Sequence, residues 1–205
     1  CSALCDEPHP PGPNHNRHLD DAVVARISEH PEIVGRVASL LGDVVLWRTN
    51  FFRKLPGGGE IPWHQDWNYW PLEAAVVVSA WIAIDDVDVE NSAPQFIPGT
   101  HKRQVPHIPV PKDRNMMFRE MADPDQIDTS RAVDMVMRAG EFVLFNERTL
   151  HHSHENRSQR RRLGLALRYI APITRVTDYD GHGPQPHVCR LVAGTDRLGF
   201  NRYRS

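Results

Sequence analysis

After Gly42 the chain breaks into short β-branched and aromatic runs separated by turn residues, and this pattern restricts the fold more than any other feature. The runs are VVLWRTNFFRK (44–54), IPWHQDWNYW (61–70), AVVVSAWIAIDD (75–86), SAPQFIPG (92–99), AVDMVM (132–137), EFVLFN (141–146), RLGLALRYIAP (162–172) and HVCRLVAG (187–194). Each has the length and residue types of a strand, and LPGGGE (55–60) is a turn between two of them. Many short strands of this kind predict a jelly roll or barrel. Ahead of them, Val23, Val24 and Ile27, then Ile33, Val34, Val37, Leu40 and Leu41, fall at helical spacing on either side of Pro31. Two helices within 18–42, ending near Gly42, are expected.

Residues 7–17, EPHPPGPNHNR, read as loop or extended chain. The stretch 103–130 is a long proline-rich insertion with a short helix expected around Met116–Met121. An insertion of that length in a compact domain suits a lid. The chain's 205 residues suffice for a single domain spanning 1–205, with a jelly-roll core over about 44–195. The sequence starts at Cys1 with neither a methionine nor a signal peptide, so further residues are expected before it.

With 24 basic and 26 acidic residues the net charge is −2, which supplies no field for nucleic acid. No apolar run nears the roughly 18 residues of a membrane span. Cys1, Cys5 and Cys189 form no disulfide framework, which points to a reducing, cytoplasmic setting. No feature specifies an oligomeric state.

The stretch WHQDWNYWP (63–71) carries the chemistry. On an extended strand His64 and Asp66 project together, while Trp63, Gln65 and Trp67 face the other way. An imidazole beside a carboxylate is two-thirds of a facial triad for non-haem iron(II), and the third ligand would be a histidine far along the chain. A hydrogen-bonded His–Asp pair at a strand end is the plain alternative. Downstream, EFVLFNERTLHHSHENRSQRRRLGLALRYIAP orders a strand, a loop with three histidines, a polar turn and another strand. An inward arginine some ten residues after such a histidine suits an iron site with an anionic cosubstrate, because guanidinium grips carboxylate through a fork. Arg162 shares its strand face with Gly164 and Ala166, whose small side chains leave room beside it.

From about residue 44 to 172 the chain resembles the phytanoyl-CoA dioxygenase family of iron(II)- and 2-oxoglutarate-dependent oxygenases. The resemblance rests on FRKLPG, WHQDWNYWP, SAWIAIDDVDVENSAPQFIPGTHK and HHSHENRS followed by Arg162, with LVAGTDRLGF in the tail. It implies a mainly β, cupin-like double-stranded β-helix (a jelly roll) with flanking N-terminal helices. It implies His64 and Asp66 as iron ligands. His151, His152 and His154 compete for the third place, and the family pattern favours His151, with Ser153 and Asn156 following it. Arg162, helped by Ser153, matches the residue for the distal carboxylate of 2-oxoglutarate. Asn50 and Trp81 match further cosubstrate-lining positions, though Trp81 also suits a core. Arg160 and Arg161 read as surface charges. Gln65, Trp67, Tyr69 and Trp70 lie near the metal strand and are candidate substrate contacts, the alternative being barrel wall.

The implied reaction uses Fe(II), 2-oxoglutarate and O2, and yields succinate, CO2 and a small-molecule metabolite hydroxylated at an unactivated C–H. Asp66 favours this over halogenation, for which the carboxylate is absent in related enzymes. Desaturation, epoxidation and cyclisation share the same iron set. A metal-binding jelly roll without oxygen chemistry and a metal hydrolase are rival classes, and neither needs Arg162.

Overall fold

The computed structural model describes residues 14–114, 116–177 and 188–203. Cys1, Cys5, most of the loop expected at 7–17 and His187 lie outside these residues. The helices are α1 (Ala22–Ser28) and α2 (Pro31–Leu41). The strands are β1 (Val44–Lys54), β2 (Ile61–His64), β3 (Leu72–Glu73), β4 (Val77–Ala83), β5 (Pro94–Phe96), β6 (His107–Pro109) and β7 (Glu120–Ala122). They continue as β8 (Val133–Asp134), β9 (Phe142–Asn146), β10 (His151–Ser153), β11 (Arg162–Ile170), β12 (Arg175–Val176) and β13 (Arg190–Ala193). The protein is mainly β with N-terminal helices, as the sequence predicts. Its larger sheets run β13-β1-β11-β4-β9 and β2-β10-β5-β8. Among the described residues no helix is long and apolar enough to cross a membrane.

Two compact units emerge, one from Cys1–Phe51, Tyr69–Trp81 and Leu165–Ser205, the other from Phe52–Asn68 and Ile82–Gly164. In the first, the Asp21 carboxylate caps α1 by accepting from the amides of Val23 and Val24, each at 2.9 Å. Pro31 opens α2 at its first turn, where a missing N–H costs nothing. Gly42 ends that helix at φ 78°, a conformation that favours glycine. Val45, Trp47, Val77, Ile170 and Cys189 form the core of this unit, with Trp70 and Leu72 packed against it. Tyr169 donates its hydroxyl proton to the carbonyl of Ser28 at 2.8 Å, tying β11 to the end of α1. Burial pushes the Cys189 thiol up to about 12, so it is a packing group rather than a nucleophile.

In the second unit, β10 pairs antiparallel with β2 on one side and β5 on the other, setting His151 opposite both His64 and Phe96. Ile97, Val105, Ala122 and Leu150 form its core, with Trp63 against them. The 103–130 insertion contains the antiparallel hairpin β6–β7 and single 3-10 turns at Pro124–Gln126 and Thr129–Arg131. The helix expected around Met116–Met121 does not form. The Met117 amide donates to Glu60 O at 2.9 Å and the Val110 amide to Arg119 O at 2.8 Å, so pairing to other segments overrides a weak local helix preference.

Candidate metal centre

Strand β2 stops at His64, and Asp66–Tyr69 winds into a 3-10 turn, so the extended run expected through Asp66 is corrected here. The backbone amides show why. Gln65 N donates to His107 Nε2 at 3.1 Å, Trp67 N to Glu147 O at 3.2 Å, and Asn68 N back to Gln65 O at 3.3 Å. The turn still delivers Asp66 beside His64, with Oδ1 3.6 Å from His64 Nε2. His151, across the β2–β10 ladder, brings its Nε2 to 3.8 Å from Asp66 Oδ2. One ligand atom from each of the three lies within 4.8 Å of the others.

The tautomers follow from the backbone. His64 Nδ1 is 2.8 Å from Pro62 O, and His151 Nδ1 is 2.9 Å from Thr149 O. A carbonyl only accepts, so each Nδ1 carries the proton and each Nε2 presents its lone pair toward Asp66. Two imidazole nitrogens and one carboxylate on one face are a donor set that fits iron(II). At 3.6 and 3.8 Å, both imidazoles meet the one Asp66 carboxylate, which joins three side chains where a simple His–Asp pair would join two. Aromatic rings wall the cluster. Phe118 meets His64 edge-on at 4.8 Å, Phe96 stacks on His151 at 5.6 Å, and Phe145 lies 4.9 Å from the same imidazole.

His152 is turned away from this cluster, as alternation along β10 requires. Its Nε2 sits 2.9 Å from Glu60 Oε1, its Nδ1 3.0 Å from Gln95 Oε1, and its ring stacks on Trp63 at 4.9 Å. Burial lowers its pKa to about 4. His154 is exposed and meets His152 edge-on at 4.5 Å. Of the three histidines, the structure brings His151 to His64 and Asp66.

Near β10 lies a buried basic group. Arg162 Nη2 reaches Ser153 Oγ at 3.3 Å and Ser92 Oγ at 3.5 Å, and Nη1 reaches Phe52 O at 3.4 Å. Burial lowers its pKa to about 10. Of its neighbours, Arg160 is exposed on Asp88, while Arg161, expected at the surface, is half-buried on Asp85, each pair at 2.7 Å. Lys54, which the sequence reading passed over, is buried here too, with Nζ 2.8 Å from Ser153 Oγ. Asn156 places it, donating Nδ2 to the carbonyls of Lys54 (3.1 Å) and Arg160 (2.7 Å). A lysine closing the β-branched and aromatic run 44–54 just before the turn LPGGGE was the available signal.

Gln65, expected to face substrate, is a framework residue. Fully buried, it donates Nε2 to the carbonyls of Arg103 (2.7 Å) and Arg148 (2.5 Å). Its Oε1 accepts from Trp67 Nε1 (3.0 Å) and Val105 N (2.8 Å). Trp67 is thereby engaged in the same lattice. Tyr69, Trp70, Asn50 and Trp81 belong to the first unit. There Trp70 packs edge-on against Trp47 at 5.2 Å beneath the Arg168 guanidinium, and Asn50 Oδ1 accepts from Arg48 Nε at 3.2 Å. Trp81 is buried in β4.

Residues 10–164 match the family model for phytanoyl-CoA dioxygenase (PhyH). Peroxisomal phytanoyl-CoA dioxygenase of Bos taurus is 28% identical over 171 residues, covering 79% of this chain and 50% of that protein. L-proline trans-4-hydroxylase of Streptomyces griseoviridis is 32% identical over 193 residues, covering 84% of this chain and 70% of that one. Among solved structures, CytC3 with Fe(II) and alpha-ketoglutarate superposes with a TM-score of 0.68 at 27% identity, covering 100% of this chain and 79% of that one. The chain thus spans about half the length of the mammalian dioxygenase it matches. A family match that takes in His64, Asp66 and His151 and covers most of the sequence shows that this chain belongs to the phytanoyl-CoA dioxygenase family.

Proposed function

We propose that the chain is an iron(II)- and 2-oxoglutarate-dependent dioxygenase, acting as one catalytic domain, that hydroxylates a small-molecule metabolite at an unactivated C–H. The observation that carries this is the His64, Asp66, His151 cluster with both Nε2 lone pairs fixed toward one point. CytC3, of similar fold, was solved with Fe(II) and alpha-ketoglutarate, which supports the same pair here. His64, Asp66 and His151 would hold the metal, and Arg162 with Ser153 would hold the distal carboxylate of the keto acid. Iron with 2-oxoglutarate and O2 supplies oxidation of a C–H bond, with release of succinate and CO2.

The chain's own residues do the rest. The Pro62 and Thr149 carbonyls hold the two imidazoles in the tautomer a metal needs. Phe96, Phe118 and Phe145 line the cluster with apolar surface. Phe118 comes from the 103–130 insertion, which suits a lid. Asn68 Nδ2 ties the turn after Asp66 to Glu120 of β7 at 2.9 Å, joining the insertion to the ligand turn. An aromatic wall favours an apolar or ring-bearing substrate. Asp66 fills the place that halide needs in halogenation, which favours hydroxylation. Desaturation, epoxidation or ring closure would use the same ligands. The net charge of −2 suits a small molecule over nucleic acid, and a cytoplasmic setting fits the cysteine pattern.

The test is anaerobic addition of 2-oxoglutarate to the Fe(II)-loaded protein, read by the weak visible charge-transfer band of the chelate. The band is expected. Its absence, with iron demonstrably bound, would refute the oxygenase reading.

A further inference from the structure

Lys54 and Arg162 are both almost fully buried, and both reach the same two hydroxyls. Lys54 Nζ lies 3.0 Å from Ser92 Oγ, 2.8 Å from Ser153 Oγ, 3.1 Å from Ser153 O and 2.6 Å from His154 O. The two serines are not equivalent. Ser92, held at φ 81° where a serine seldom sits, gives its proton to His154 O and can only accept from Lys54. Ser153 Oγ accepts from Lys54 and also from Arg162 Nη2 at 3.3 Å. With both acceptor positions taken, its remaining capacity is its O–H donor. A hydroxyl compelled to donate, next to a guanidinium, is a seat for a carboxylate.

We propose that Lys54 is a positioning residue of this seat: through Ser153 it fixes a hydroxyl donor beside Arg162, which favours a keto acid whose far end is a carboxylate. This rests on reading the site as one for 2-oxoglutarate. Without Lys54, the Ser153 proton is free to turn to other acceptors, and the distal carboxylate loses a donor and a group that takes up a proton beside it. The metal end of the keto acid is untouched. Lys54 therefore governs discrimination between 2-oxoglutarate and a five-carbon keto acid ending in methyl, rather than keto-acid binding in general.

The experiment titrates anaerobic Fe(II)-loaded wild type, Lys54→Met and Lys54→Gln with 2-oxoglutarate and with 2-oxovalerate, reading the chelate band. Wild type is expected to prefer 2-oxoglutarate. Lys54→Met is expected to lose about tenfold or more of that preference, the size of one hydrogen bond to a charged group. Its affinity for 2-oxovalerate is expected to stay within about threefold of wild type. Equal weakening of both acids marks a merely structural lysine and overturns the proposal. If iron-loaded wild type shows no band with 2-oxoglutarate, or no preference for it, the reading of the site falls and the proposal with it.

Calorimetry on wild type asks the same question even if neither variant folds. Burial first, then Arg162, draws the Lys54 ammonium down to about 6, against the raising pull of Glu60 and Glu155. Lys54 in turn lowers the pKa of nearby His152. A carboxylate opposite raises it again, so 2-oxoglutarate is expected to take up more proton at pH 7 than 2-oxovalerate, compared across buffers of different ionisation enthalpy. Equal proton counts for the two acids would overturn the proposal.

Discussion

Replacing Gln65 tests whether the residue between His64 and Asp66 serves the framework or the substrate. Its amide satisfies the carbonyls of Arg103 and Arg148, the amide of Val105 and the indole N–H of Trp67, and the side chain is fully buried. Gln65→Ala leaves all four without this partner and opens a space where the amide stood. Trp67 is half-buried and can recover a water, which leaves three backbone groups as the main loss. At about 1 kcal/mol or more for each buried group left unsatisfied, the loss is about 3–5 kcal/mol. That is a large share of the roughly 5–15 kcal/mol that holds a domain folded. At roughly 2–4 °C per kcal/mol for a chain of this size, the melting midpoint should fall by about 6–20 °C. Because the same lattice sets the turn that presents Asp66, iron(II) affinity should weaken as well. Thermal and urea unfolding of the metal-free protein measure the first effect, and titration with Fe(II) measures the second. A Gln65→Ala protein that melts within about 2 °C of wild type refutes this reasoning and returns Gln65 to the substrate side.

His151→Ala is expected to abolish iron binding and succinate formation with little change in the melting point. His152→Ala should keep iron but lose stability, because Glu60 and Gln95 lose a buried partner and Trp63 loses its stacked ring. Loss of iron binding on His152→Ala alone would reverse the assignment. Lys54 gives a pH signature in the metal-free protein. Its pKa falls from 10.5 to about 6 on folding, so between those values the unfolded chain holds the extra proton and stability rises with pH. Urea unfolding between pH 6.5 and 8.5 should show a slope of order 1 kcal/mol per pH unit in wild type that is missing in Lys54→Met, and equal slopes would refute the assignment.

The parts of this fold that could be read from sequence are those where local preference and tertiary packing agree. β1 runs from Val44 to Lys54, the bounds its β-branched and aromatic run predicts, and the helices stop and start where Pro31 and Gly42 require. The departures come where a distant partner decides. His64–Asp66 was to be one extended strand, but His107 and Glu147, far along the chain, take the amides of Gln65 and Trp67 and turn the backbone after His64. The same contacts keep Asp66 within reach of both imidazoles, so the same-face argument reached the right neighbours through the wrong backbone. Around Met116–Met121 a helix is expected from local preference, but Met117 pairs with Glu60 and Arg119 to Met121 pair with Val110 to Ile108.

Side-chain roles were hardest to read because residue type does not reveal which partner wins. An amide in an aromatic stretch suits a substrate contact as well as it suits four framework bonds, and only the carbonyls of Arg103 and Arg148 show that Gln65 has the second role. A lysine four residues beyond Asn50 reads as a solvated strand end until Asn156 folds the later loop against its backbone and leaves the ammonium among Ser92, Ser153 and His154. The histidines were an easier case, since neighbours on a strand must diverge. Once β10 pairs His151 with His64, His152 has to face Trp63 and Glu60. Periodicity therefore settles a choice between adjacent residues, whereas a choice between framework and ligand depends on contacts that only the folded chain creates.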